Sequence, residues 1–242
     1  MGIKIVKKRL KESNLKNLEI KRIQNIKYAK DILKVLNERL LTYEKYKKLK
    51  PKEIEKLSNE GFVIGQHTLP TLEEWIKNDK NYIIIAELKS EKVKEILGFI
   101  LILGTEDIQE LVKGYGKEVI FEKPTYKNII FNEKDFLYLI QICVAKNFSH
   151  TGIGTKILNE GFKITNKPII SFIIKTPIQN RASLYFHLKN GFKYLGDYLG
   201  DYGNFENYSS IGLIYMKNNN PKTKNDILNL IEYINKEKIE RE

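Results

Sequence analysis

The most constraining stretch of this chain runs from Phe136 to Ala145, ten residues that are nearly all apolar and lead directly into Asn147-Phe148-Ser149-His150-Thr151-Gly152-Ile153-Gly154-Thr155. A continuous apolar run of this length reads as a strand covered on both faces, which is the pattern of a parallel or central strand. Two glycines then turn the chain, Ile153 to Thr165 continues at helical period, and Ile169 to Ile174 is again apolar and β-branched. Strand, helix and strand in that order imply a βαβ unit with a right-handed crossover and a parallel pair of strands. The fold class is therefore α/β or α+β.

The remaining segments are built around this unit. Leu18 to Asn25 reads as a first strand, and Ala29, Ile32, Leu33, Leu36, Leu40 and Tyr43 recur at the spacing of an amphipathic helix. Pro51 can open a short helix through Leu57, and Pro70 lies in an irregular connection with a brief helix around Trp75. Tyr82 to Leu88 and Ile96 to Leu103 read as a hairpin. Residues 104–135, with Gly114, Gly116, Pro124 and the apolar piece Val119 to Phe121, look like an insertion with some strand in it. Asn180 to Asn190 reads as a helix, and Phe192 to Leu199 and Ser210 to Met216 as two last strands. Pro221 breaks the chain before Ile227, Leu230, Ile231 and Ile234, which mark a terminal helix that Asn225 could cap. The expected organisation is one domain over residues 1–217 and a linker with an accessory helix over 218–242. A chain of 242 residues that is 42% hydrophobic suffices for one such core.

No run reaches the roughly 18 apolar residues of a membrane span, and the basic N-terminus lacks the apolar stretch of a signal peptide. The expectation is a cytoplasmic protein without a membrane partner. The formal charge of +12 suits a polyanion, whether nucleic acid, anionic lipid or a phosphate-rich small molecule, but its lysines are spread along the chain instead of clustered. The single cysteine, Cys143, cannot form an internal disulfide and reads as a small hydrophobe inside its strand.

The chemistry lies in the turn. Glycines let the backbone approach a ligand, and the free N–H groups of a helix N-terminus, reinforced by its dipole, bind phosphate oxygens. A pyrophosphate is the natural guest, although a bare strand-to-helix joint uses the same residues. A P-loop would need Gly-Lys-Ser/Thr after its second glycine, where this chain has Thr155-Lys156 after Gly154, and a dinucleotide turn would need a third glycine where Ile157 stands.

The segment Val144-Ala145-Lys146-Asn147-Phe148-Ser149-His150-Thr151-Gly152-Ile153-Gly154 resembles the signature Val-x-Pro-x-Tyr-Arg-Gly-x-Gly-Ile-Gly of the GNAT superfamily of acetyl-CoA-dependent N-acetyltransferases. Asn180-Arg181-Ala182-Ser183-Leu184-Tyr185-Phe186-His187-Leu188-Lys189-Asn190-Gly191-Phe192 resembles its second motif, Asn-x-x-Ala/Ser-x-x-x-Tyr-x-x-x-Gly-Phe. The resemblance covers roughly residues 18–217. It implies a mixed, mostly antiparallel sheet with one parallel, splayed strand pair and flanking helices. It also implies acetyl-CoA as donor, with its pyrophosphate on the backbone of Ser149, His150, Thr151, Gly152, Ile153, Gly154 and Thr155. The pantetheine arm would lie along Ile142, Cys143 and Val144 beside Asn180 and Ser183.

Two of the chain's departures from the family pattern bear on the chemistry. Ser149 stands where an arginine or glutamine usually opens the turn. His187 occupies the place of the family's tyrosine acid; as imidazolium it could protonate the departing thiolate, while the alternative is an ordinary histidine at a site using no side-chain acid. No carboxylate lies in the strand, where Tyr138 holds the position some members give to a glutamate, so the base is left open. Asp197 and Asp201, set among tyrosines between Tyr194 and Tyr208, suit a cationic amine acceptor, or belong to a packed tyrosine-rich hairpin. The acceptor expected is a primary amine: a protein N-terminus, a lysine or a small amine. A basic RNA- or ribosome-binding protein that keeps the fold without turnover, and an interaction protein whose terminal helix from Ile227 mediates assembly, are the competing readings; the chain could also form a homodimer.

Overall fold

The computed structural model describes residues 17–89, 94–104, 119–130, 135–202, 205–217 and 222–236. Eight strands join in one mixed, mostly antiparallel sheet of order β1-β2-β3-β5-β6-β8-β7-β4. By its internal contacts the chain divides into two compact units.

The first unit comprises residues 1–40, 63–103 and 139–165. Its strands are β1 (Leu18–Ile23), β2 (Tyr82–Lys89), β3 (Lys94–Leu103) and most of β5 (Leu137–Val144). β1 and β3 flank β2 antiparallel, with Ile20 opposite Ala86 and Ile85 opposite Phe99. The β-branched isoleucines of β2 and β3 are buried, as a pleated surface covered on both sides requires. Helix α1 (Ala29–Asn37) follows a single 3₁₀ turn that Asn25 caps through its side chain. It buries Ala29, Ile32, Val35 and Leu36, one stripe of its surface. It ends earlier than its periodicity predicts: Leu40 leaves to form a bridge with Val63, and Thr42, extended, caps the next helix by accepting from the Lys45 N–H. Tertiary pairing and a local cap end the helix although apolar spacing continues.

In the second unit, residues 41–62, 104–138 and 166–242, the strands are β4 (Val119–Phe121), β6 (Ile169–Thr176), β7 (Lys193–Tyr202) and β8 (Phe205–Tyr215). The first two residues of β5 supply the parallel pair, Leu137 opposite Ile169 and Tyr138 opposite Ile170. Its helices are α2 (Tyr43–Tyr46), α3 (Pro51–Glu60), α5 (Pro124–Asn128), α7 (Arg181–Lys189) and α8 (Lys224–Lys236), whereas α4 (Leu69–Lys77) and α6 (Ile153–Ile164) belong to the first unit. Of the expected insertion, the described part is a three-residue edge strand, β4 on β7, and the short α5. The terminal helix starts on a capping box instead of on Asn225: the Asp226 N–H donates to Thr223 Oγ1, and the Thr223 N–H donates to the Asp226 carboxylate. Ile227 and Ile234 of α8 are fully buried, and Gln179 and Lys175 hydrogen-bond its last turn. No described helix is long and apolar enough to cross a membrane.

Candidate active site

β5 runs into a turn whose backbone is set by two left-handed residues, His150 at φ 63° and Gly152 at φ 82°. The Phe148 N–H donates to the Ala145 carbonyl at 2.9 Å, and Thr151 Oγ1 donates to the Phe148 carbonyl at 2.6 Å, which close the loop on itself. Gly152 occupies the N-cap of α6 and supplies no side-chain acceptor. The helix makes its first backbone bond from Lys156 to the Gly152 carbonyl at 3.1 Å. The N–H groups of Ile153, Gly154 and Thr155 thus have no partner in the helix and point out of its positive end. The turn is open on one side: a Cβ added at Gly152 would meet no atom within 4 Å.

Upstream, the strand geometry sorts the backbone by parity. The Ala145 N–H donates to Leu97 of β3 at 2.8 Å, so the peptide groups of Ile142 and Val144 point to the other edge of β5. Side chains alternate likewise. Cys143 faces α1, where its thiol donates to the Val35 carbonyl at 3.7 Å, and burial pushes that thiol up to about 12. It is a packed hydrophobe, not a nucleophile. Gln141 shares its side of β5 and is buried.

Three residues that the sequence did not single out converge on this unit. Arg39, just past α1, donates from Nε to the Val144 carbonyl at 3.3 Å and from a terminal nitrogen to Ser149 Oγ. Beside it, Glu38 accepts from the Lys146 N–H at 3.0 Å. His67, half-buried at the residue before the Thr68 cap of α4, bonds through Nε2 to Gln141 Oε1 at 2.9 Å and meets the edge of Trp75, ring centroids 4.9 Å apart. An amide oxygen can only accept, so Nε2 carries the proton and Nδ1 presents its lone pair. Burial lowers the basicity of His67, partly offset by the bond to Gln141. No local sequence signal marks either pair: Arg39 lies 105 residues from Val144 and His67 lies 74 from Gln141.

In the second unit the expectations change. His187 is 1% exposed, its Nδ1 proton donates to the Ser183 carbonyl at 2.8 Å, and its ring meets Phe186 and Phe192 edge-on. Burial drives its basicity down to about 4, with the backbone bond to Ser183 opposing. At neutral pH it is an uncharged core histidine whose one proton is committed, so it does not have the imidazolium expected of a general acid. Asn180 caps α7: Oδ1 accepts from the Ser183 N–H at 3.1 Å and Nδ2 donates to the Phe62 carbonyl at 2.7 Å. These bonds occupy the Ser183 N–H and engage both polar ends of the Asn180 side chain. Asp197 sits 2.7 Å from Lys175 Nζ, with the two side chains 13% and 7% exposed, so it balances a buried lysine and does not stand open to a cationic acceptor. The Asp201 side chain lies outside the described residues. Tyr198 and Tyr208 pack together, and Tyr198 stacks edge-on against Phe172, which is the packed-hairpin alternative.

The model of the acetyltransferase (GNAT) family matches residues 51–192, more than half of the chain and inclusive of both motifs. The chain belongs to this family. The acetyltransferase is similar in fold to Ard1 from Thermoplasma volcanium, at 9% identity over 83% of this chain and 97% of that one, TM-score 0.51. It is likewise similar to the ribosomal-protein-S18-alanine N-acetyltransferase from Escherichia coli, at 8% identity over 85% and 97%, TM-score 0.51. No curated protein sequence matches it. The family makes the protein an acyltransferase.

Proposed function

We propose that this acetyltransferase moves the acetyl group of acetyl-CoA to a primary amine. The observation that supports the reading is the turn from Ser149 to Thr155, where two left-handed residues lead into a helix N-terminus that no side chain caps, beside open space at Gly152. These donors fit a pyrophosphate, and the peptide edge of Ile142 and Val144 fits the amide-bearing arm that follows it. Acetyl-CoA supplies an activated thioester. The chain's part is to fix that group, exclude water from it and meet the amine.

The amine nitrogen attacks the thioester carbonyl carbon, the carbon–sulfur bond breaks, and the sulfur leaves as thiolate to take a proton from solvent. The amine must lose a proton, and His67 offers an acceptor: Gln141 holds its Nε2, Nδ1 has no hydrogen-bond partner among the described residues, and burial lowers the ring's basicity below that of a free imidazole. With His187 buried and neutral, this scheme has no side-chain acid. A protein N-terminus, a lysine and a small amine all meet these requirements.

Thermal unfolding with and without acetyl-CoA, with ATP and NAD as anion controls, tests the donor. At about 100 times its Kd a ligand adds roughly 2.7 kcal/mol, about 5 to 11 °C for a chain of this size. A shift shared equally by ATP and NAD, or none, removes the reading. With an acceptor found by amine screening, His67→Asn should lower kcat at least tenfold and leave the KM for acetyl-CoA unchanged; an unaltered kcat removes His67 from the mechanism.

A further inference from the structure

Arg39 is the strongest feature of the molecule that the reaction just described leaves unused. Its backbone is held at both ends: the N–H donates to the Leu36 carbonyl at 3.0 Å, and the carbonyl accepts from the Val63 N–H at 3.0 Å. The side chain is therefore launched from a fixed point, and it ends against the turn, with Nε on the Val144 carbonyl and a terminal nitrogen on Ser149 Oγ. Ser149 Oγ in turn donates to the Lys146 carbonyl at 3.1 Å, so its hydroxyl proton is committed and its lone pair serves the guanidinium.

The charge balance is the informative part. A guanidinium has five N–H donors in a rigid fork and cannot lose its proton. Two neutral oxygens meet two of these donors, and among the described residues no carboxylate pairs with Arg39. The nearest acidic side chain in sequence, Glu38, is turned to the Lys146 N–H. Half-buried cations usually find a counter-charge, and a phosphate is matched by this fork better than by any other basic side chain. The cation touches the first residue of a seven-residue turn whose backbone already assembles donors for an anion.

We propose that Arg39 binds a phosphate oxygen of acetyl-CoA from the flank of the turn, with Ser149 and Val144 holding the guanidinium in place. The inference rests on the donor reading above and makes it more specific. A long donor that could have stood within the turn itself is delivered here from the end of α1, and Ser149, too short to reach a phosphate, becomes its support.

Isothermal titration of acetyl-CoA into the full chain and into Arg39→Gln, Arg39→Lys and the double variant Arg39→Gln/Ser149→Arg provides the test, with S-acetylpantetheine, which lacks every phosphate, titrated to millimolar levels in parallel. Loss of one charge-assisted bond should weaken acetyl-CoA by roughly 10- to 100-fold in Arg39→Gln and less in Arg39→Lys. Ser149→Arg added to Arg39→Gln should regain most of that loss, and S-acetylpantetheine should bind the full chain and Arg39→Gln alike. Equal acetyl-CoA affinity in Arg39→Gln overturns the assignment. So does an equal fractional loss for S-acetylpantetheine, which would make Arg39 a brace for the turn and nothing more. Failure of the unaltered chain to bind acetyl-CoA would instead bring down the donor reading itself, and the two failures are told apart by which protein shows them.

Discussion

Acidifying the protein should expose the cost of burying His187. The ring is 1% exposed and holds its single proton on Nδ1 against the Ser183 carbonyl, while Nε2 is buried without a partner among the described residues. Burial depresses its pKa from 6.5 to about 4. Between those values the unfolded chain binds a proton at this residue and the folded chain does not. The stability contributed by the neutral ring is thus complete above pH 6.5 and is lost as pH falls toward 4. At 1.36 kcal/mol per pH unit the loss over this window is about 3 kcal/mol, a large share of a typical folding free energy of about 5–15 kcal/mol. Urea unfolding followed by circular dichroism at pH 7, 5.5 and 4 would measure it. His187→Gln keeps an amide donor for the Ser183 carbonyl and removes the titration, so its stability should fall about 3 kcal/mol less than that of the unaltered chain across the same range. Other groups titrate in both proteins and cancel in the comparison. Parallel loss in the two proteins would refute the buried, neutral assignment and return His187 to consideration as an acid.

Three further outcomes follow from the packing. Lys175→Met leaves the Asp197 carboxylate buried without its cation and should cost about 3–5 kcal/mol, with Lys175→Met/Asp197→Leu recovering most of it in denaturant titrations; a cost no greater than that of an exposed lysine such as Lys163 would contradict the buried pair. Cys143 should resist iodoacetamide in the native protein at pH 7.5 and react once the chain is unfolded in urea, because burial holds its thiol near 12; rapid native alkylation, read by mass spectrometry, would disprove the packing. Gly98→Ala would place a Cβ 2.9 Å from the Cys143 carbonyl and 3.3 Å from Val144 Cγ2. It should lower stability by roughly 1–3 kcal/mol and weaken acetyl-CoA by displacing β5, and an unchanged Tm would show that β5 yields freely.

The sequence by itself determined the βαβ unit, the turn and the family, because these depend on short-range pattern: an apolar run, two glycines, a helical period, and two motifs in order. It also carried the hairpin of β2 and β3 and the place of the terminal helix, whose buried Ile227 and Ile234 are part of the expected stripe. What it could not carry were decisions made by residues far apart in the chain. Whether His187 meets solvent or two phenylalanines, and whether Asp197 faces a substrate or Lys175, depends on which strand and helix lie opposite, and a residue's charge state follows from that burial. The same holds for Arg39 at the turn and His67 on Gln141. Each lies in a segment with no motif, and each acquires its role only because folding closes 74 to 110 residues of chain onto β5 and the turn that follows it. Local periodicity specifies which elements form; long-range packing specifies which side chains keep a free lone pair or an unbalanced charge, and those are the groups that can do chemistry.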